Sequence, residues 1–502
     1  MEETMMVAGT ETIAGNKKIA GTEIMPGTES IPEAEAIIVR PKLRGSFFRE
    51  NRKLVLLSTL FAPLLSVIDV VIVNIAIPFI KDQYRTTDSS VELVVASYLI
   101  GYSIFLVTGS RAGDYFGRKK VYVAGVIFFT VSSLFCGLAG SVVSLIIYRF
   151  IQGVAAAFMV PQAITIMQLT FPKREDRDKA FGYYGISLGL AAIIGQYLGG
   201  YFVSSHLIKE GWRLIFLVNL PVGLIATLAA LFFLKETRQN KSQRFDFTGV
   251  ALLTPGLIFL LYPVIQGREL GWPSWIIFLL IAGVILLTVF FFNQKKKSVN
   301  NDNPLLHTGL FRNRGFNLGV LAVIFLFGVH NSFLLVSAFY FQRVLHIAPY
   351  SVGLYFTLYG TGFLISSYVS IRNIARYGIR MLQFGTILMI IALLLQAMVL
   401  PHHITPLSIR LLLLLYGIGQ GLILPSILNV TLRSIPLEYA GIAGGVYSTI
   451  QQFSSALGIT MIGGVFFYFL AKGGNAYTAS LYMMTGYLAV AFCLFEGIKR
   501  KG

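Results

Sequence analysis

Residues 64–80 read LLSVIDVVIVNIAIPFI, and one side chain in that run is charged: Asp69, set among Val, Ile and Leu. The apolar character continues back to about residue 54. About 20 apolar residues suffice for a helix to cross a bilayer. The carboxylate therefore lies in the middle of a membrane-crossing stretch. Facing lipid, its ionised form would cost about 2.5–3.5 kcal/mol.

The rest of the chain supplies the context. Of 502 residues, 55% are hydrophobic and 13% charged, and the mean hydropathy is +0.71. A soluble domain carries about 25% charged residues. Further runs of membrane-crossing length lie near 91–112, 120–139, 142–170, 179–204, 212–234, 246–265 and 273–293. Six more lie near 316–341, 350–370, 381–400, 406–432, 440–468 and 476–498. The prediction is an all-α membrane protein with fourteen transmembrane helices. Residues 1–53 carry Gly, Thr and Glu throughout, with GTE recurring at Gly9, Gly21 and Gly27. They show no signal peptide and read as a disordered tail.

The net charge of +18 could suggest nucleic acid, but the positions of the cations exclude that reading. With the N-terminus in the cytoplasm, 32 of the 41 Lys and Arg fall on the cytoplasmic side and eight on the outer side. This is a positive-inside pattern with both termini cytoplasmic, and it requires an even number of spans. The charge therefore meets anionic lipid. The cation left over is Arg149, inside the fourth span. Cys136 and Cys493 lie in apolar runs and read as buried free thiols.

The chain also repeats. A shift of 264 residues brings Gly153 onto Gly417, Pro161 onto Pro425, Pro172 onto Pro436, and Gly199 and Gly200 onto Gly463 and Gly464. Two six-helix bundles follow, 54–234 and 316–498. Two inserted helices and a cytoplasmic loop occupy 235–315, and 499–502 form a cytoplasmic end. The halves run the same way through the membrane, an arrangement found in transporters.

Four segments carry a family resemblance. They are SRAGDYFGRKK (110–120), YRFIQGVAAAFMVPQ (148–162), GQYLGG (195–200) and WRLIFLVNLPVG (212–223). Together they resemble the major facilitator superfamily, in its fourteen-span drug:proton antiporter branch. Ser110 stands where the family's loop signature has Gly, and Tyr115 where it has a basic residue. The antiporter signature G-P-x-x-G-G is present as Gly195, Gln196, Gly199 and Gly200, with Gln in place of Pro. The resemblance implies a cytoplasmic conformational-switch loop at Gly113, Asp114, Gly117 and Arg118. There Asp114 is expected near a helix N-terminus, where the dipole favours an anion.

The residues themselves suggest the chemistry. An acid in the bilayer must be protonated, be paired, or face water, and each option makes its proton exchangeable. Helix rise places Asp69 about 16 Å and Arg149 about 10 Å from the outer side, close enough to pair. Asp69 is the one acid read as deep in the membrane. His330 lies at the depth of Asp69 and matches it under a shift of 261, so it joins the proton-coupling candidates. Asn74, Tyr98, Tyr102, Gln152, Gln162, Asn331, Tyr359, Gln451 and Gln452 are substrate-path candidates.

The expected function is proton-coupled export of small lipophilic or drug-like compounds by alternating access. Partners are the substrate, protons and the lipid bilayer of the cell membrane, a bacterial inner membrane by the resemblance. Neither a cofactor nor a metal is expected, and no periplasmic adaptor is identified. Uptake by proton symport is the alternative direction. An enzyme would need a nucleophile, metal ligands or paired carboxylates near an interface, and a receptor a soluble domain; the sequence contains neither.

Overall fold

The computed structural model describes residues 52–236, 246–267, 270–300, 304–401, 405–433, 435 and 440–499. The expected tail lies outside the described residues except for Arg52 and Lys53, as do His402, His403 and residues 500–502. Fourteen helices are long and apolar enough to cross a membrane. They are α1 (Arg52–Tyr84), α2 (Asp88–Phe116), α3 (Arg118–Gly137), α4 (Val142–Thr170), α5 (Arg174–Ser204), α6 (Gly211–Phe233) and α7 (Phe247–Gln266). The others are α8 (Ser274–Val299), α9 (Arg314–Val344), α10 (Pro349–Tyr377), α11 (Ile379–Val399), α12 (Pro406–Leu432), α13 (Ala440–Ala471) and α14 (Ala476–Lys499). The chain is an all-α membrane protein of two six-helix bundles, α1–α6 and α9–α14, with α7 and α8 inserted.

The repeat is visible in packing. Small residues let membrane helices approach closely, and the two halves use them at matching places. Gly101 of α2 lies against Phe150 and Val154 of α4; Gly362 of α10 lies against Leu414 and Ile418 of α12. Gly153 abuts the Tyr98 carbonyl, and Gly417 abuts that of Tyr359. The α2/α10 positions differ by 261 and the α4/α12 positions by 264. One offset therefore cannot serve both, because the connections differ in length. The 261 shift that pairs Asp69 with His330 is also the shift of α2 onto α10.

The bundles meet along two seams, α5 on α10 and α13 on α2. Both are tight at the ends remote from Arg52 and Lys499. A Cβ on Gly353 of α10 would stand 2.8 Å from the Gln196 carbonyl and 3.0 Å from the Gly200 Cα. Toward the other end the seams loosen: a Cβ on Gly185 stops 3.5 Å from Ile371, one on Gly445 4.0 Å from Val107, and Gly182 and Gly444 meet nothing within 4 Å. Polar clasps join the bundles at the tight end. The last turn of α9 is π-helical over Tyr340–Val344. From it Gln342 donates to the Ile75 carbonyl (3.1 Å), and Arg343 to the Pro78 carbonyl (2.6 Å) and to Asp82. Lys81 pairs with Asp88 while lying over the rings of Phe339 and Phe467.

The inserted pair packs Gly256 against Leu287 and Gly283 against Leu260. Asp246 caps α7 through the Gly249 N–H (2.7 Å), accepts from Gln294 (2.7 Å) and pairs with Lys297. Outward faces of α8, such as Phe278, Ile281, Ile285 and Phe292, are exposed apolar surface suited to lipid. One reading needs correction: Cys136 is buried, but Cys493 is exposed on α14, on a face that the apolar run around it could not distinguish from core.

Candidate functional site

Asp69 sits midway along α1, fully buried, and the helices around it converge on its carboxylate. Arg149 of α4 pairs with Oδ2. Gln152, one turn further along α4, donates to Oδ1 at 2.9 Å, and Asn219 of α6 donates to the same oxygen at 3.1 Å. The i, i+3 spacing puts Arg149 and Gln152 on one face of α4, and Arg149 also donates to the Gln152 Oε1 at 2.8 Å. The guanidinium is held further by the Val94 carbonyl of α2 (3.2 Å) and stands 4.6 Å from the centre of the Tyr98 ring. Tyr98 is fixed in turn by a 2.8 Å bond to Ser66, and Asn219 by one to Ser133 (3.0 Å).

Chemically this is a buried ion pair with no exposed surface, both side chains being 0% accessible, and one guanidinium nitrogen, Nη2 of Arg149, has no hydrogen-bond partner among the described residues. Such pairs are nearly neutral in stability when complete and costly when one partner is removed. In this conformation every polar contact given to the Asp69 carboxyl is to a protein group: Arg149, Gln152 and Asn219.

His330 does not join this network. It lies in α9 of the second bundle, half-buried, with Nδ1 bonded to the Gln420 amide of α12; Gln420 in turn accepts from Tyr359 of α10. Tyr416 stacks on Phe333 at 3.8 Å beside them. Asp69–Arg149–Gln152 and His330–Gln420 therefore bridge corresponding helices of the two halves. One is charged and the other is not. Asn219 and Gln420 were missed as site residues. Asn219 lies within the 212–223 motif and Gln420 falls on Ala156 under the repeat, and neither side chain carries a charge that would mark it in an apolar run.

The remaining candidates separate. Gln162 donates to the Gly109 carbonyl (2.7 Å) and abuts Gly113, which makes it an α2–α4 contact. Asn74 bonds carbonyls of its own helix, Val70 and Val71. Tyr102 is buried edge-on to Tyr98, Asn331 is buried beside His330, and Gln451 and Gln452 are half-buried on α13. Gly195 and Gly199 pack α5 onto α1, Gly200 packs it onto α10, and Gln196 is fully buried on that α5 segment. In the switch loop, Gly117 takes φ +101° between α2 and α3, a conformation suited to glycine. Asp114 pairs with Arg118 at 2.6 Å. The anion at the N-terminus of α3 is Glu236, which accepts from the Lys119 and Lys120 N–H groups, each at 3.1 Å.

A second acid is buried in a span. Helix α2 starts at Asp88, capped by Thr87, so Glu92 lies one turn inside it and is 1% exposed. The apolar run begins at 91, which sets Glu92 at the edge of the span and leaves Asp69 as the one acid deep in an apolar run. Among the described residues no group of three or more His, Cys, Asp or Glu is placed to hold a metal ion.

Two parallel six-helix bundles meeting at a closed end, with an ion pair sealed in one of them, define a secondary-transporter scaffold. Residues 59–459 match the Major Facilitator Superfamily, and the chain belongs to that family. It is 29% identical over 420 residues to the probable actinorhodin transporter of Streptomyces coelicolor, covering 83% of this chain and 72% of the relative. It is 28% identical over 417 residues to the multidrug resistance protein Stp of Mycobacterium tuberculosis, covering 83% and 76%. Among solved structures, the partially occluded, inward-open xylose transporter XylE of E. coli matches with a TM-score of 0.63 at 15% identity, covering 89% of this chain and 98% of XylE; that likeness concerns the fold alone. The family places the protein in a cell membrane.

Proposed function

We propose that this protein exports small lipophilic organic compounds across a bacterial inner membrane in exchange for protons. The Asp69–Arg149 pair, sealed in the middle of α1 and α4, is the single observation that carries the reading. A charged pair with no access to water is worth retaining in a membrane when its opening is part of a cycle. The printed names of the relatives, a transporter for actinorhodin and a multidrug resistance protein, support export of organic compounds.

With both termini in the cytoplasm, the tight end of the seams is the outer end and the form described is inward-facing. Asp69 is then ionised and paired, as expected after a proton has left toward the cytoplasm. Substrate enters between the loosened inner ends, where the neutral set His330, Gln420, Tyr359 and Tyr416 offers rings and hydrogen bonds. After the bundles tilt, a proton from outside neutralises Asp69. Arg149 falls back on the Gln152 and Val94 oxygens it already touches, substrate leaves, and the bundles return. A potential of 100 mV supplies about 2.3 kcal/mol per charge and one pH unit about 1.4 kcal/mol.

Everted vesicles test this directly. Asp69→Asn is expected to abolish uphill, proton-driven accumulation while substrate binding persists. Full proton-driven transport by that variant would overturn the scheme.

A further inference from the structure

We infer that His330 offers the substrate a fixed hydrogen-bond donor, so the compounds carried are uncharged and bring an acceptor oxygen to it, such as a carbonyl. The inference rests on the exporter reading above and names the substrate class of the same site.

The polarity of a buried chain carries it. Tyr359 of α10, Gln420 of α12 and His330 of α9 form one line of hydrogen bonds. Among the described residues neither the phenol nor the Gln420 amide has another hydrogen bond. The amide can lie either way round, and both ways make two bonds. With Oε1 toward Tyr359, the phenol proton has its acceptor and Nε2 donates to the His330 Nδ1. Turned over, the amide would donate to the phenol oxygen and strand the phenol proton, which is costly in a side chain only 3% exposed. The first arrangement therefore holds. Nδ1 of His330 is then an acceptor, and the ring proton sits on Nε2. A second proton on the ring would set two N–H groups against each other, so the imidazole stays neutral while the chain is intact.

His330 is the open end of this chain. Tyr359 and Gln420 are 3% and 1% exposed, whereas His330 is half-buried. Its accessible surface belongs to the interior. Leu321 marks the exposed side of α9, and His330, nine residues on, is about two and a half turns away and so on the opposite side. Gly319, about three turns before His330 and on the same side, packs on Thr431 of α12, the helix that also holds Gln420. The Phe327 ring stands edge-on to the imidazole, 6.1 Å between centres, and restricts its rotation. Nε2–H is thus presented to the cleft between the loosened seams.

A donor fixed in this way sorts ligands. It attracts a carbonyl oxygen and turns its positive end toward an ammonium. At the corresponding place in the first bundle, Asp69 and Arg149 are paired and 0% accessible, so in this form neither meets a charge on the ligand. A charged compound would leave water for the cleft without compensation there. Tyr359 and Gln420 do not reach the ligand; they are positioning residues that set which ring nitrogen carries the proton.

The test uses the full chain in nanodiscs at neutral pH, without a gradient, and three probes on one skeleton. Fluorenone has a carbonyl, fluorene has none, and aminomethylfluorene brings a cationic amine. Affinities are expressed per amount dissolved in the nanodisc lipid, so that differences in partition cancel. Wild type should bind fluorenone about tenfold more tightly than fluorene, the worth of one hydrogen bond, and the amine no more tightly than fluorene. His330→Phe keeps a ring but loses the donor and should remove the preference for fluorenone. His330→Gln, whose amide can donate, should keep it. Tyr359→Phe frees the Gln420 amide to turn and should weaken the preference without touching the ligand. Nitrogen NMR of protein with labelled histidine, the His330 signal assigned by its loss in His330→Gln, should place the proton on Nε2 in wild type and on both nitrogens in Tyr359→Phe. A proton on Nδ1 in wild type, no preference for fluorenone over fluorene, or tightest binding of the amine overturns the inference. None of these readings needs proton coupling, so failure of the exporter reading would show separately, as proton-driven transport surviving Asp69→Asn.

Discussion

The Asp69–Arg149 pair makes an asymmetric prediction about stability. Removing the acid with Asp69→Asn leaves a guanidinium buried among α1, α2, α4 and α6, and arginine cannot shed its charge. Removing one partner of a buried pair costs about 3–5 kcal/mol. Arg149 keeps the Gln152 oxygen at 2.8 Å and the Val94 carbonyl at 3.2 Å, which places the loss at the lower end, about 3 kcal/mol. The reverse change, Arg149→Gln, leaves a carboxyl that can neutralise itself by taking a proton, and two amide donors, Gln152 and Asn219, still reach it. Its cost should lie at the lower end of the about 1.5–3 kcal/mol that a hydrogen bond to a charged group contributes. The double variant should recover most of what Asp69→Asn loses, giving a coupling of about 1–3 kcal/mol. Denaturant unfolding in detergent, followed by tryptophan fluorescence, measures all three; Trp212 lies near the network, its ring stacked edge-on against Phe216. Equal losses in the two single variants, or simple additivity in the double, would refute the reasoning.

Further outcomes follow from other contacts. His330→Ala should raise the KM for substrate several-fold and leave the proton-to-substrate ratio unchanged, because its network does not touch Asp69; a changed ratio in proteoliposomes would contradict this. Gly353→Ala should force α5 and α10 apart at the outer end and raise the reactivity of a cysteine placed there toward impermeant maleimide, since the added carbon meets backbone 2.8–3.2 Å away. Burial would raise the Asp246 carboxyl, but hydrogen bonds from Gln294, Lys297 and the Gly249 N–H, with the Lys297 charge, hold it below its ordinary 3.8. The α7–α8 clasp is therefore at full strength above that value and weakens as pH falls through the lower folded one. Hydrogen exchange around Gly249 should rise in that acid range, and Asp246→Ala should reproduce the rise at neutral pH.

The fold was legible because solvent imposes it. A bilayer demands long apolar helices, and the positive-inside bias demands an even count, so two independent patterns agreed on fourteen spans. Asp69 and Arg149 were legible for the same reason, each being a charge where charges are expensive. Their partners were not. Asn219 and Gln420 are neutral amides, and neutral amides in membrane helices are common enough that only geometry separates a ligand of a carboxylate from a helix contact such as Gln162. Glu92 escaped because the hydrophobic run alone marks the span edge. The true start at Asp88, fixed by the Thr87 cap, moves the acid one turn inward. The single repeat offset failed where connections differ in length, which only matched glycine contacts could reveal.

The two halves share a packing plan but differ in charge: one bridge carries opposite charges and its counterpart in the repeat is a hydrogen bond between an imidazole and an amide. Under the proposed cycle, drift in the neutral half reshapes which molecules are accepted without altering the pair that couples to protons. A lineage built on that cycle broadens or swaps its cargo by small steps, each of which leaves a powered pump.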